Sequence, residues 1–600
     1  MREFSVPATV TVSDEDNLSD MVFATAERFG GAIVYRRKVE GGWVDVTAQD
    51  FAATVLAMTK GIVASGVQPG DRVGLLSRTR YEWTLADFAI LAAGGVTVPV
   101  YETSSAEQVE WILSDSQAKA VIVESARHRA TVEAVRDRLP DLANVWQLDG
   151  SGDTRGAVDE LTALGADVPE DEVHARRRQI GGDDLATLVY TSGTTGRAKG
   201  CRLTHRNLLA EVRTAVQAAP ELLNPNAQIL LFLPLAHVLA RTIQLTGFYS
   251  RATVGHTPDV KNLLADLAEF RPTLVLSVPR VFEKVYNSAK QRAHAGGKGR
   301  IFDVAERTAV AWSEAKDTGG PGLWLRIEHA LFDRLVYGRL RAALGGRCDA
   351  AVSGGAPLGV RLGHFFRGIG STVYEGYGLT ETSAAATVGL PKHFKVGTVG
   401  RPLPGVAIRI ADDGEVLIRG DVVFGGYWNN PTATAEALSD DGWFSSGDIG
   451  ELDDDGYLRI TGRKKELIVT AGGKNVAPAV LEDRLRAHPL ISQCMVVGDN
   501  QPFIGALITI DAEAFPVWRD QHGKTGEVAD LVEDAELRAE IGTAVAEANK
   551  AVSAAEAIKK FRILPVDFTE DGGQLTPTLK LKRAVVAKEF AHEIDAIYTR

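Results

Sequence analysis

The sequence predicts an α/β protein: a large N-terminal domain of doubly wound mixed sheets that ends in a β-meander or barrel subdomain, followed by a small, mobile α+β C-terminal domain. From residue 71 to about residue 380, short apolar runs alternate with helical patterns, as in sheets that carry helices on both faces. From about residue 397, short strands such as GEVLIRG and DGYLRITGR are separated by Gly and Asp-Gly turns, which indicates antiparallel pairing.

Two domains are expected because 600 residues exceed what one hydrophobic core supports. After Lys465 the chain has strand patterns of its own (LIVT, ISQCMVVG, ALITI) and a helix pattern of its own (APAVLEDRLRAH). We therefore predict an N-terminal domain over residues 1–464 and a C-terminal domain over residues 465–600.

The alternation of strands and helices is clearest where it begins. DRVGLLS, from Asp71, predicts a strand, YEWTLADFAILAAGG predicts a helix that ends at Gly94-Gly95, and VTVPVY predicts the next strand. Farther along, Thr204 is placed to cap a helix over THRNLLAEVRTAV, since its hydroxyl can accept a hydrogen bond from the first turn. In the later subdomain, YWNNP predicts a short strand that ends in an Asn-Asn-Pro turn.

The segment from Leu188 to Gly200, LVYTSGTTGRAKG, predicts a strand followed by a phosphate-binding loop. Its glycines let the backbone approach a ligand closely, its hydroxyls and N–H groups can donate to phosphate oxygens, and Lys199 adds a positive charge. It differs from the G-x-x-x-x-G-K-[ST] loop, because the lysine follows Gly196 by three positions and precedes a glycine. The alternative is a Gly/Thr surface turn.

Two further strands run into glycine-containing loops, at DAAVSGGAPL (Asp349 to Leu358) and STVYEGYGLTET (Ser371 to Thr382). In an open α/β sheet, ligands bind at the carboxyl ends of the strands. We therefore expect these two loops and the phosphate loop to meet at one crevice.

Charge and cysteine content limit the classes of function. The chain has 66 basic and 78 acidic residues, a net charge of −12, which argues against general nucleic-acid binding and against a polybasic membrane anchor. Cys201, Cys348 and Cys494 lack metal-ligand spacing and indicate reduced thiols in a cytoplasmic protein. The N-terminus lacks the apolar segment of a signal peptide, and the longest apolar stretch, near residues 88–101, is too short to span a bilayer.

Seven motifs occur in the order that they have in the adenylate-forming superfamily of acyl-CoA synthetases, luciferases and adenylation domains, which the chain resembles from about residue 71 to residue 583. They are YTSGTTGRAKG, LPLAHV, SGGAPL, YEGYGLTE, SSGD, GRKKELI and TPTLKLKR. Three segments, VPVYETSSAEQVEWILSDS, SVPRVFEKVY and LTPTLKLKR, are similar to the long-chain fatty acyl-CoA synthetase branch. Ala198 and Ser446 depart from the commoner proline and threonine of the superfamily.

The resemblance implies two half-reactions. A fatty-acid carboxylate attacks the α-phosphorus of ATP to give acyl-adenylate and pyrophosphate, and the thiolate of coenzyme A then attacks the acyl carbon and releases AMP. Such transfers depend on alignment and charge neutralisation. The implied ligands are a fatty acid, ATP, CoA and Mg²⁺. A weak contact with the inner face of the membrane is considered because the substrate is a lipid, although the net charge gives it no support.

The resemblance also assigns residues to roles by their position in the motifs. The implied catalytic residues are Lys580, Glu381, Lys199 and His237. The implied metal ligands are the Thr191 hydroxyl and the Glu381 carboxylate. The implied nucleotide- and CoA-binding residues are Thr191, Ser192, Gly193, Thr194, Thr195, Gly196, Lys199, Gly354, Gly355, Ala356, Tyr374, Glu375, Gly376, Tyr377, Gly378, Thr380, Asp448, Arg463, Lys465, Gly472, Gly473 and Lys580.

Several nucleotide contacts have a purely structural alternative. Asp448 could cap the turn in SSGDIG, and Arg463 could be a solvated charge on a hairpin. Tyr374 and Tyr377 could be core aromatics rather than an aromatic face for adenine.

The implied catalytic residues have alternatives as well. Glu381 could cap a helix, since acidic residues favour the first turn, and His237 could be a buried, hydrogen-bonded core histidine. Lys580 lies in a basic cluster in which Lys582 is the rival for the catalytic role.

The superfamily serves both half-reactions with one site by rotating the C-terminal domain about a hinge, here at Lys465. Lys580 would face the site during adenylation, and the AGGK segment from Ala471 to Lys474 would face it afterwards and line the path of the CoA arm, where glycines allow close passage. Two other functions stay open: a fatty acyl-AMP ligase that hands the acyl group to a carrier protein, and a non-catalytic nucleotide-binding protein.

Overall fold

The computed structural model describes residues 1–150, 155–191, 197–259, 262–472, 474–570, 572–576 and 579–599. The strands, in chain order, are β1 (Glu3–Ser5), β2 (Ile33–Val39), β3 (Gly42–Thr47), β4 (Arg72–Leu76), β5 (Val96–Val100), β6 (Ala120–Val123), β7 (Asn144–Gln147), β8 (Leu185–Thr191), β9 (Lys199–Thr204), β10 (Gln228–Leu231), β11 (Thr253–His256), β12 (Leu274–Ser277), β13 (Ala350–Ser353), β14 (Thr372–Tyr377), β15 (Thr387–Val388), β16 (Arg401–Pro402), β17 (Ala407–Ile410), β18 (Glu415–Arg419), β19 (Phe444–Leu452), β20 (Leu458–Arg463), β21 (Ile468–Val469), β22 (Asn475–Val476), β23 (Ile491–Val497), β24 (Ile504–Ile510) and β25 (Ile558–Ile563).

The α-helices alternate with these strands through most of the chain. In chain order they are α1 (Asp20–Phe29), α2 (Ala48–Ala64), α3 (Tyr81–Ala92), α4 (Ala106–Asp115), α5 (Ala126–Glu133), α6 (Ala157–Leu164), α7 (Glu170–Arg177), α8 (His205–Ala218), α9 (Val238–Tyr249), α10 (Leu263–Phe270), α11 (Pro279–Ala295), α12 (Gly299–Asp317), α13 (Leu323–Phe332), α14 (Gly338–Ala343), α15 (Val360–Gly368), α16 (Pro431–Ala437), α17 (Pro478–Arg486), α18 (Phe515–Gln521), α19 (Val528–Leu531), α20 (Ala535–Asn549), α21 (Arg583–Glu589) and α22 (Ala591–Tyr598).

Two mixed sheets form the large domain. Over the described residues, the first has the strand order β7-β6-β4-β5-β8-β9, and the second has the order β16-β15-β14-β13-β12-β10-β11-β2-β3. Their central strands are parallel, while β9 and the outer strands of the second sheet run antiparallel. The predicted alternation of strands and helices is thus confirmed, and so is the Thr204 cap, whose side chain accepts from the Asn207 N–H at the start of α8.

A buried ion pair joins the helices of the two sheets. The Arg241 guanidinium on α9 donates to both carboxylate oxygens of Asp87 on α3, at 2.9 and 2.7 Å. Thr97 on β5 donates to the same carboxylate at 2.8 Å. Both charged side chains are almost fully buried, so removing either partner would leave an uncompensated charge. The pair fixes the position of α9, which carries part of the functional site.

The β-meander subdomain is an antiparallel sheet with the strand order β1-β17-β18-β19-β20, in which β1 pairs with β17 at one edge. The predicted strand at YWNNP is wrong. Tyr427 forms only an isolated bridge with Cys201, and Asn430 caps α16 by accepting from the Ala433 N–H at 3.0 Å. The Asn-Pro pair therefore starts a helix, because the asparagine side chain satisfies a free N–H group and proline suits the first helical position.

The C-terminal part forms a small α+β unit around the sheet β23-β24-β25. It contacts the large domain through polar side chains, among them Arg280 of α11, which donates to Ser492 Oγ at 3.2 Å, and Lys284, which pairs with Glu513 at 2.7 Å. These contacts hold the C-terminal unit over the carboxyl ends of the large-domain strands.

None of the helices in the described ranges is long and apolar enough to cross a membrane. The three cysteines are buried and free, as the sequence predicts.

Candidate active site

A cavity of about 2230 Å³ lies between the large domain and the C-terminal unit. Its walls come from the β8–β9 hairpin, the ends of β13 and β14, the β19–β20 hairpin and the segment around Lys580. The SGGAPL and YEGYGLTE segments therefore meet at one crevice with Thr191 and Lys199, the described residues nearest the predicted phosphate loop.

The segment that is predicted to bind phosphate corresponds to the β8–β9 hairpin. Thr191 ends β8 and pairs directly with Lys199, the first residue of β9, so a strand follows the loop where a Walker loop has a helix. Both residues line the cavity. The remaining predicted loop residues, Ser192, Gly193, Thr194, Thr195 and Gly196, lie outside the described residues.

Glu381 lies in a short 3₁₀ turn after β14 and is 9% exposed. Its Oε1 atom accepts a 2.8 Å hydrogen bond from the Tyr427 hydroxyl. The Tyr427 ring in turn faces the Lys199 ammonium, with 5.0 Å between the nitrogen and the ring centroid, a favourable cation–π geometry. Tyr427 thus connects Lys199 to the Glu381 carboxylate.

The donor set at this place fits Mg²⁺. Within the described ranges no cluster of three or more His, Cys, Asp or Glu side chains could hold a metal. The Glu381 carboxylate and the Thr191 hydroxyl, both on the cavity wall, are hard oxygen donors, which suit an ion that keeps several waters and binds substrate phosphates. The buried Cys201 thiol lies beside both residues, and burial together with the Glu381 charge raises the pKa of that thiol well above its ordinary value.

Most of the implied nucleotide-binding residues in the SGGAPL and YEGYGLTE motifs also lie on the wall. They are Gly354, Gly355, Tyr374, Gly376, Tyr377, Gly378 and Thr380. Ala356 and Glu375 do not line the cavity. Glu375 is buried and accepts from the Leu358 N–H at 2.9 Å, and burial raises its pKa to about 7. It therefore fixes the end of the SGGAPL loop from a buried position that does not line the cavity.

Asp448 lies one layer behind the wall and is 4% exposed. Its Oδ2 atom accepts from the Tyr377 hydroxyl at 2.7 Å, and its Oδ1 atom accepts from Arg463 Nε at 2.8 Å. Asp448 on β19 and Arg463 on β20 face each other across the hairpin. The aspartate thus orients two side chains that do line the cavity, and a ligand would reach its carboxylate by displacing one of them.

Lys580 reaches the cavity from the C-terminal unit. A Cβ atom on Gly355 would lie 3.6 Å from its Cε atom, so the glycine leaves room for the lysine chain. The surrounding protein and the nearby Arg463 charge lower the pKa of Lys580, while Asp448 and Glu381 oppose that shift. Locally, the Lys580 N–H donates to Thr576 Oγ1 at 3.0 Å.

In this structure Lys580, rather than the segment around Gly472, faces the cavity. Lys465, in the 3₁₀ turn after β20, lines the cavity, whereas Gly472 is exposed and away from it. Gly473 lies outside the described residues. The rival lysine, Lys582, also lines the cavity, so position alone does not separate the two candidates.

His237 precedes α9 and lines the cavity. Its Nδ1 atom accepts from the Leu239 N–H at 3.2 Å, which leaves the proton of the neutral ring on Nε2. Burial and the Lys580 charge lower its pKa to about 3. The ring is therefore neutral at pH 7 and can donate one hydrogen bond.

Part of the cavity wall, which we call the apolar arm, is formed by apolar side chains of α8, α9 and neighbouring strands and loops. It comprises Ala215, Ala219, Leu222, Leu223, Val238, Leu239, Ile243, Leu274, Val352, Val388, Leu390 and Leu403. A single buried carboxyl group, that of Glu211, interrupts this lining among the described residues. Burial raises its pKa well above the ordinary value, although the Ala385 N–H donates to it.

Sequence reasoning missed Tyr427 and Glu211. Tyr427 carries no chemical signal of its own in GYWNNP. Glu211 could have been found, because it lies at helical spacing between Leu208 and Ala215 in an otherwise apolar stripe.

Two family models match the chain. A model described as AMP-binding enzyme matches residues 22–428, and a model described as AMP-binding enzyme C-terminal domain matches residues 465–600.

Similar proteins extend over the full length. The chain is 59% identical to a protein of Mycobacterium bovis named long-chain-fatty-acid–CoA ligase FadD15, with 100% of both chains covered. It is 32% identical to the long-chain-fatty-acid–CoA ligase ACSBG2 of Xenopus laevis, with 96% of this chain and 82% of that protein covered. The crystal structure of the anthranilate CoA ligase AuaEII in complex with anthranoyl-AMP superposes with a TM-score of 0.73 at 18% identity, with 98% of this chain and 99% of that chain covered, which shows the shared fold.

The match of the first family model to more than half of the chain, together with these full-length relatives, shows that the chain belongs to the AMP-binding enzyme family.

Proposed function

We propose that the protein is a long-chain fatty acid–CoA ligase that uses ATP and releases AMP and pyrophosphate. The observation that carries the proposal is the meeting of Lys580 with Glu381 and Lys199 in one cavity that continues into an apolar arm. The full-length relatives named as long-chain-fatty-acid–CoA ligases support the same activity.

In the first half-reaction, a carboxylate oxygen of the fatty acid attacks the α-phosphorus of ATP, and the bond from that phosphorus to the pyrophosphate oxygen breaks. Lys199 and the hairpin N–H groups would hold the departing phosphates. Lys580 would approach the carboxylate and the α-phosphate and offset the charge that develops between them. A preorganised charge of this kind contributes about 10²–10³ in rate.

Glu381 and Thr191 would hold Mg²⁺, and the ion would supply charge neutralisation on the phosphate oxygens when it is bound. The chain's own contribution is to keep the Glu381 carboxylate oriented, through the hydrogen bond from Tyr427.

The acyl chain would lie in the apolar arm. Transfer of each methylene group from water into such a lining contributes about 0.8 kcal/mol, so long chains would bind more tightly than short ones until the arm is filled. Burial raises the pKa of the Glu211 carboxyl, and this shift toward the uncharged form suits the arm, because a carboxylate would lose its hydration when an acyl chain covered it.

In the second half-reaction, the sulfur of CoA attacks the acyl carbon, and AMP leaves with the electron pair of the broken C–O bond. The CoA thiol gives up its proton to solvent, so the attacking species is the thiolate. The C-terminal unit would rotate about Lys465, which would take Lys580 out of the site and bring in the segment around Gly472. We infer that both steps take place in the cytoplasm, where ATP and CoA are available.

The decisive experiment measures pyrophosphate release and thioester formation over fatty acids of increasing length, with and without CoA. The proposal expects ATP-dependent pyrophosphate release that is greatest for long chains, and an acyl-CoA product when CoA is present. Pyrophosphate release without a thioester would indicate a fatty acyl-AMP ligase. Nucleotide binding with no pyrophosphate release would indicate a non-catalytic protein.

A further inference from the structure

Helix α13 carries a row of large apolar side chains that face away from the protein. Trp324 is 82% exposed, Ile327 54%, Leu331 56%, and Leu335, in the π-helical turn that continues α13, 49%. Their spacing of three or four residues places them on one face of the helix. A row of large exposed apolar side chains on one face of a helix is typical of a surface that contacts a partner or a membrane.

The opposite face of α13 is firmly attached, so the exposure does not come from a loosely packed helix. The His329 ring stacks on Trp312 of α12 with 4.0 Å between centroids, and its Nε2 atom lies 2.7 Å from the carbonyl oxygen of Gly368. Phe332 is buried. The helix therefore presents its outer face in a fixed orientation.

The charge around this face is opposite in sign to that of the whole chain. Residues 323–347 contain five arginines, Arg326, Arg334, Arg339, Arg341 and Arg347, and two acidic residues, Glu328 and Asp333. One of the two acids, Asp333, pairs with Arg341. Arg334 and Arg339 are exposed and form no ion pair with any residue that the structure describes. The segment thus has an excess of three positive charges in a chain of net charge −12.

We propose that this outer face of α13, made by Trp324, Ile327, Leu331 and Leu335 with its flanking arginines, docks on the surface of an anionic lipid bilayer. A short apolar face with tryptophan and arginine is the composition of helices that lie in the membrane interface, where tryptophan is enriched. Arginines near an anionic surface add attraction, whereas two copies of the same basic face would repel each other. The docking surface does not depend on the acyl-chain preference of the proposed ligase.

The first test measures flotation of the full-length protein with vesicles of phosphatidylglycerol and phosphatidylcholine in equal parts, and with vesicles of phosphatidylcholine alone. We expect binding to the anionic vesicles, weakened by salt. Ile327→Ser should lower the partition coefficient about tenfold, since burying one such side chain is worth about 1.5 kcal/mol or more. Val566→Ser is the matched control, because Val566 is also 54% exposed but lies in the C-terminal unit; it should bind like the wild type.

Two further measurements locate the contact. Brominated lipids should quench part of the tryptophan fluorescence of the wild type, and Trp324→Phe should remove that part. Arg334→Gln should weaken binding to anionic vesicles and reduce its salt dependence, while Arg178→Gln, at an exposed arginine directly after α7, should change neither.

Three outcomes would overturn the proposal: no flotation of the wild type, equal flotation of wild type and Ile327→Ser, or a dimer in gel filtration that Ile327→Ser dissociates, which would assign the face to a second copy of the chain. Pyrophosphate release with a water-soluble short-chain acid should be unchanged in Ile327→Ser. That measurement confirms folding and separates failure of the docking surface from failure of the proposed ligase activity.

Discussion

The Tyr427 hydroxyl donates a 2.8 Å hydrogen bond to Oε1 of Glu381, while the ring of the same tyrosine faces the Lys199 ammonium. One side chain outside the recognised motifs thus supports two residues that are assigned to the phosphates and the metal. The hydroxyl fixes the carboxylate, and the ring is available to the lysine independently of the hydroxyl.

Tyr427→Phe should therefore raise the Mg²⁺ concentration for half-maximal pyrophosphate release about tenfold, because a hydrogen bond to a charged group contributes about 1.5–3 kcal/mol. The ring, and with it the contact to Lys199, is kept. A magnesium titration of the first half-reaction measures the effect. Tyr457→Phe removes a hydroxyl outside the cavity and should leave the titration unchanged; an unchanged titration for Tyr427→Phe itself would contradict the positioning role.

Lys580→Ala should reduce acyl-adenylate formation about 10²–10³-fold, because a preorganised positive charge is lost from the reacting groups. Conversion of supplied acyl-adenylate to the CoA thioester should stay close to the wild-type rate. Single-turnover measurements of each half-reaction separate the two effects. Lys582→Ala is the comparison that decides between the two lysines on the wall: a larger loss there would transfer the catalytic assignment to Lys582.

Lys465→Pro should impair thioester formation more than adenylation, since proline fixes the backbone torsion at the position about which the C-terminal unit would rotate. The structure already has the orientation in which Lys580 faces the cavity, so the first half-reaction needs no rotation. Lys465→Ala, which keeps backbone freedom, should retain both steps far better. Equal loss of the two half-reactions in the proline variant would argue against rotation about this residue.

Glu211→Gln should stabilise the protein at neutral and alkaline pH but not at pH 4. Burial raises the pKa of the folded-state carboxyl above the ordinary 4.5, so the folded state holds a proton that the unfolded state has released. Stability contributed by this group is therefore lost as pH rises from about 4.5 through the raised pKa. The amide keeps the acceptor for the Ala385 N–H and removes the titration.

Differential scanning fluorimetry of wild type and Glu211→Gln between pH 4 and pH 8 measures this effect. The difference in Tm should grow with pH in favour of the variant. Glu160→Gln, at an exposed position on α6, serves as the control. A Tm difference that does not change with pH would show that Glu211 titrates normally in the folded protein.

The sequence alone predicted the features that depend on neighbouring residues or on the order of motifs along the chain. The alternation of apolar runs with helical patterns predicted the doubly wound sheets, because strands and helices place apolar residues at different spacings in the sequence. The order of the motifs identified Lys199, Glu381, Arg463 and Lys580, all of which line the cavity. The strand predicted at YWNNP failed, because the capping power of Asn430 outweighs the strand preference of the aromatic pair before it.

Only the tertiary structure decided which side chains support one another across large distances in the chain. Tyr427 and Glu381 are 46 positions apart, and Tyr377 and Asp448 are 71 apart; no periodicity links such pairs. Folding also placed Asp448 and Glu375 behind the cavity wall and Glu211 inside an apolar arm, because the packing of whole elements sets which polar groups lose water. The motifs thus determined which functional groups are present. The fold determined how those groups are oriented, how deeply they are buried and how burial changes their charge.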